Sequence, residues 1–180
     1  MNMFSIKNLF IQLIGFIGTF FYFSSYQFKE NKKLYRFQFI SYIFYVLHFF
    51  LLGAITGAIS YIINLISSYC LSSNNKKLHS NKMCIILCLS LIVVGCFTWN
   101  GIITLLPIIA NIAAIIGGYT HNAKKIRFVG IFINSPLWII HNAIVGSWSG
   151  VIDELICEGS MIISVIRYGW NNLDKEEPHE

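Results

Sequence analysis

Residues 37–75 read FQFISYIFYVLHFFLLGAITGAISYIINLISSYCLSSNN, without a single Lys, Arg, Asp or Glu. That is about twice the roughly 20 residues that one transmembrane helix needs. Gly53 and Gly57 stand in the middle of the stretch, where glycine relaxes the helical backbone, so it reads as a hairpin of two spans. Residues 83–123 repeat the pattern, with Trp99-Asn100-Gly101 as the turn. Residues 8–28 and 128–152 are uncharged stretches of single-span length.

Composition agrees. The 180 residues are 56% hydrophobic and 12% charged, whereas a soluble domain carries about 25% charged residues. Spans are expected at about 8–26, 36–53, 57–73, 83–98, 101–119, 127–145 and 149–167. The fold class is all-α membrane, because lipid-exposed strands leave backbone groups unpaired. The first apolar run lacks an Ala-x-Ala cleavage site and is followed by Lys29, Lys32, Lys33 and Arg36, which makes it a retained helix.

Charge orients the chain. Twelve of the thirteen Lys and Arg residues fall on one side of this plan, in the loops around 29–36, 76–82 and 124–127 and at Arg167 and Lys175; Lys7 alone falls opposite. The positive-inside rule then puts the N-terminus outside and the C-terminus in the cytoplasm. Basic residues confined to short loops beside spans argue for the lipid bilayer as partner and against nucleic acid. The five cysteines show no metal-ligand spacing, and no cofactor motif is present.

An offset of 93 residues places His48 on His141, Gly53 on Gly146 and Gly57 on Gly150 without a gap. Seven further identities lie between 26 and 67, among them Tyr26/Tyr119, Lys32/Lys125 and Ser67/Ser160. Two three-span units in the same orientation require one extra crossing between them, and residues 83–98 supply it. The result is a 3+1+3 plan of seven helices in two parallel triple-helix bundles. Its divisions are a first bundle over 1–75, a loop and linker helix over 76–100, a second bundle over 101–170 and a cytoplasmic tail over 171–180.

This plan resembles the PQ-loop and SWEET superfamily of small-solute transporters. The segments His48-Phe-Phe-Leu-Leu-Gly53, Leu105-Leu-Pro-Ile-Ile109, Trp138-Ile-Ile-His-Asn142, Glu158-Gly-Ser160 and Ile166-Arg167 look like the YgjV family of bacterial inner membrane proteins, which implies an inner-membrane location. Neither copy carries the Pro-Gln pair of the PQ-loop group: Tyr26-Gln27 and Tyr119-Thr120 stand there instead. In SWEET-like proteins a tryptophan and an asparagine line the solute pocket, and Trp138 and Asn64 look like their counterparts.

Several polar residues inside the expected spans are candidates for chemistry. His48 and His141 could bond neighbouring helices, line a polar cavity or ligate metal. Glu158 falls near mid-membrane, where an ionised carboxylate costs several kcal/mol unless paired or wetted, and Glu154 lies one turn away. Both are proton-coupling candidates. Asn142 adjoins His141. Pro107 and Pro136, present only in the second copy, suggest helix kinks there. The leading expectation is a secondary transporter or facilitator with a cavity lined by His48, Asn64, Trp138, His141, Asn142 and Glu158. A non-transporting receptor or scaffold is the alternative, and a homo-oligomer is compatible with either. An enzyme ranks last, for want of a nucleophile and base at recognisable spacing.

Overall fold

The computed structural model describes residues 6–51, 55–99, 101–144 and 148–173. Every regular element among them is helical: α1 (Ile6–Ser25), α2 (Asn31–Leu51), α3 (Ile55–Ser72), α4 (Asn81–Phe97), α5 (Leu105–Tyr119), α6 (Ala123–Val129), α7 (Ser135–Ile144) and α8 (Trp148–Tyr168). A π turn, Gly130–Asn134, joins α6 to α7 in one continuous rod over 123–144, so the eight segments make seven rods.

Local chemistry sets the boundaries. The Ser80 side chain accepts from the Met83 N–H and starts α4; the Asn122 side chain accepts from Lys125 N–H at 2.8 Å and starts α6. Gly101 (φ 79°) makes the α4–α5 turn, and Gly169 (φ 76°) ends α8 with its N–H on the Val165 carbonyl at 2.9 Å. Asn100, Gly53 and Gly146 lie outside the described residues. α2 begins at Asn31 rather than 36, and the sixth rod at Ala123 rather than 127. Lysine is a good helix former whose stem can reach toward water, so these helices run on past their apolar stretch.

Burial is inverted relative to a soluble protein. Ser25, Gln38, Ser41, Asn64, Asn111, Arg127, Asn134, Ser160 and Ser164 are buried, while Phe10, Phe16, Phe20, Phe50, Ile85, Phe97 and Ile166 face outward. Two helices, Asn31–Leu51 and Ile102–Tyr119, are long and apolar enough by themselves to cross a bilayer. The described apolar parts of the first, third and fourth rods, Phe10–Ser25, Ala58–Ser72 and Asn81–Phe97, are shorter than eighteen residues. α8 carries Asp153, Glu154 and Glu158 within its apolar sequence.

The rods close a ring. α1 packs on α2, α2 on α3, α3 on α5, α5 on α7, α7 on α8 and α8 back on α1; α4 leans on α3 and α5. Leu34, Tyr26, Tyr35, Leu91, Ile115 and Met161 belong to the apolar core. The basic loops are tied together at one end of the ring. There the Asn31 amide donates to the His121 carbonyl at 2.9 Å, Lys32 to the Asn74 side chain at 2.5 Å and the Tyr119 hydroxyl to the Leu78 carbonyl at 3.1 Å.

Candidate functional site

Two adjoining cavities of about 40 and 30 Å3 occupy the middle of the ring. Both touch Tyr22, Tyr42, Asn64 and Asn134, so they form one polar space with two ends. One end, toward the basic loops, is hydroxyl-rich, with Tyr26, Tyr35, Gln38, Ser67 and Ser68. The other is acidic and aromatic, with Tyr45, Tyr61, Asn111, Trp138, Asp153 and Glu154. Each volume suits roughly two or three waters, or a molecule of about four heavy atoms.

The acidic end is built from side chains on six rods. Asp153, at the start of α8, accepts a hydrogen bond from the Thr19 hydroxyl of α1 at 2.5 Å. The Tyr45 hydroxyl of α2 donates to the same carboxylate, 3.3 Å from both oxygens. Glu154 lies beside the Ser135 hydroxyl. Across the space, the Asn64 amide of α3 donates to Asn111 Oδ1 of α5 at 3.3 Å. Asn111 is only 4% exposed, and its Nδ2 has no hydrogen-bond partner. The Asn134 amide donates to the Ala110 carbonyl at 3.0 Å. The ring of Tyr61 lies 5.0 Å from that of Tyr45 and 5.1 Å from that of Phe49.

Of the residues expected from sequence, Asn64, Trp138 and Glu154 line this space. His48, His141, Asn142 and Glu158 do not. His48 Nδ1 bonds the Ile11 carbonyl at 2.9 Å, and the ring packs over Gly15; it ties α2 to α1, one of the roles open to it from sequence. His141 packs edge-on to the Trp138 ring at 5.5 Å, with its buried Nδ1 unpartnered. Asn142 is half-buried beside it.

Helical geometry explains why Glu154 reaches the space and Glu158 does not. The inward stripe of α8 runs through Cys157, Ser160 and Ser164, and Asp153 lies on the same line at i, i+4, i+7, i+11 spacing. Glu154 flanks that stripe at its cavity end. Glu158 is one turn farther along and rotated away, and it stays half-buried. Sequence reasoning also passed over Asn111, Asn134, Tyr22, Tyr42 and Tyr61. Lone amides inside uncharged spans were the available signal for the first two, since a polar side chain in lipid faces the bundle interior. Among the described residues no group of three His, Cys, Asp or Glu side chains could hold a metal ion.

Residues 9–172 match a family model described as a bacterial inner membrane protein, Imp-YgjV. No curated protein and no solved structure matches the chain. The match spans nearly every described residue, cavity and basic loops alike, and it agrees with the polar interior and apolar exterior: the chain belongs to the YgjV family of bacterial inner membrane proteins.

Proposed function

We propose that the protein is a secondary transporter or facilitator of a small polar solute, crossing the inner membrane seven times on a 3+1+3 plan with its N-terminus outside. The observation that carries this reading is the polar space at the ring's centre, which places two carboxylates, an amide pair and a cluster of tyrosines where a packed apolar core would otherwise be. Pocket residues under this reading are Asn64, Trp138 and Glu154 from the sequence and Asp153 and Asn111 from the structure. Proton coupling falls to Glu154 rather than Glu158, because only Glu154 faces the space. His48, His141 and Asn142 then support helix contacts around the pocket.

The two seams of the ring support the repeat and the resemblance to SWEET-like proteins. α3 meets α5 through Asn64 and Asn111; α8 meets α1 through Asp153 and Thr19. The offset of 93 carries Asn64 to Cys157, one turn from Asp153, and Gly18, next to Thr19, to Asn111. The seams thus use near-equivalent positions of the two bundles, whose extents are 1–75 and 101–170. Passage of a solute requires a seam to part, since the two cavities amount to only about 40 and 30 Å3. That tight closure equally suits a non-transporting receptor or scaffold.

Flux decides between them. Purified protein in proteoliposomes should take up at least one member of a panel of amines, polyols, sugars and amino acids, and Glu154→Gln should reduce that uptake by about tenfold, the scale of one lost charge-assisted contact. Flux no greater than that of empty vesicles across the panel overturns the transporter reading in favour of the scaffold.

A further inference from the structure

The acidic end of the cavity specifies a ligand by charge, shape and hydrogen bonding. Asp153 and Glu154 both line it, and among the described residues no Lys, Arg or His does so. His48 of α2 has Nδ1 on the Ile11 carbonyl and lies outside the lining. An anion would meet two carboxylates and no counter-charge. The walls are aromatic, with Tyr42, Tyr45, Tyr61 and Trp138 offering rings whose faces attract a cation.

A second, independent feature points to the rest of the ligand. Asn111 has its Oδ1 occupied by Asn64, while its buried Nδ2 has no acceptor. An amide donor shut away from water without a partner costs about 1–3 kcal/mol, and a ligand oxygen would remove that cost. We propose that this end of the cavity binds a small protonated amine carrying an oxygen acceptor, with the ammonium between Asp153, Glu154 and the aromatic rings and the oxygen on Asn111 Nδ2. This names the solute class for the transporter reading and rests on the same cavity. Thr19 and Tyr45 already donate to Asp153, which fixes that carboxylate and leaves Glu154 as the adaptable ion-pair partner.

The test uses three probes of similar size and different charge on the full chain in detergent: ethanolamine, ethylene glycol and glycolate. Binding is read by titration calorimetry and by the shift in melting temperature. Ethanolamine should bind and raise the melting temperature in a saturable way. Ethylene glycol and glycolate should bind at least about tenfold more weakly. Glu154→Gln should weaken ethanolamine by about tenfold; Asn111→Leu should lessen the preference for ethanolamine over ethylamine, which lacks the oxygen. Comparable binding of ethylene glycol or glycolate overturns the proposal, as does the absence of ethanolamine binding to wild-type protein. The wild-type probe comparison stands even if a variant fails to fold. Ethanolamine binding without flux in proteoliposomes removes the transporter reading and keeps the amine site; flux of a neutral solute without amine binding does the reverse.

Discussion

At the scale of single residues, Arg127 is the clearest case of a side chain whose role depends on its partners. It is 0% exposed, and its guanidinium donates to Ser164 Oγ at 2.8 Å and to the carbonyls of Tyr26, Phe28 and Ala123 at 3.1, 2.8 and 3.3 Å. Those contacts join the ends of α1 and α8 to the start of the sixth rod. Arg127→Ala should lower stability by about 3 kcal/mol, read from thermal melting in detergent, because it strands buried carbonyls. Arg127→Lys should recover only part of that, since one ammonium cannot span the same acceptors. Beside Lys124 and Lys125 in the sequence, Arg127 resembled one more basic loop residue. Its burial was not legible because the carbonyls it caps lie about a hundred residues away. His121 makes a second case. It stacks on His79 with ring centroids 4.8 Å apart, at a left-handed φ of 52°. Burial first, and the neighbouring His79 charge second, hold the His121 pKa below its ordinary 6.5. The folded chain therefore binds fewer protons than the unfolded chain near that pH, and stability rises with pH. This contribution is intact above about pH 6.5 and shrinks as the pH falls below it. Melting temperature should thus drop less between pH 7.5 and 5.5 in His121→Asn than in wild type, asparagine being tolerant of the left-handed backbone.

At the scale of elements, the rods owe their contacts to small residues and to one deliberate irregularity. An added Cβ at Gly118 of α5 would stand 2.6 Å from the Tyr35 hydroxyl and 2.8 Å from Leu71 Cδ1, both buried side chains. Gly118→Ala should therefore cost about 1–3 kcal/mol, measured by chemical or thermal unfolding, and loosen the contact of α5 with α2 and α3. The irregularity is the π turn Gly130–Asn134 just before Pro136. Proline cannot donate to the carbonyl four residues back and collides with it, and a wider turn relieves both problems. Pro107 was expected to kink its helix as well, but it sits in the first turn of α5, where a missing N–H costs least. The two prolines are alike in sequence and different in consequence because only one stands well inside a rod.

For the whole molecule, the seven-rod ring with its basic loops gathered at one end yields a direct topological test. With the five native cysteines replaced, Lys77→Cys should react with a membrane-impermeant maleimide only after the cells are opened, and Ser149→Cys should react from outside; the reverse pattern sinks the proposed orientation. The helical class, the near positions of the rods and the family were legible in the sequence, because lipid demands long uncharged stretches whose boundaries the basic loops mark. That Asn64, Trp138 and Glu154 turn toward a polar interior was also expected from their place in such stretches, and they line the central cavity. The choice of Glu154 over Glu158, the recruitment of Asp153 and Asn111, and the burial of Arg127 were decided only by tertiary structure. Hydropathy reports how much of a helix is apolar, whereas a site depends on which face turns inward and which distant rod supplies its partner, and those follow from packing between helices far apart in the chain.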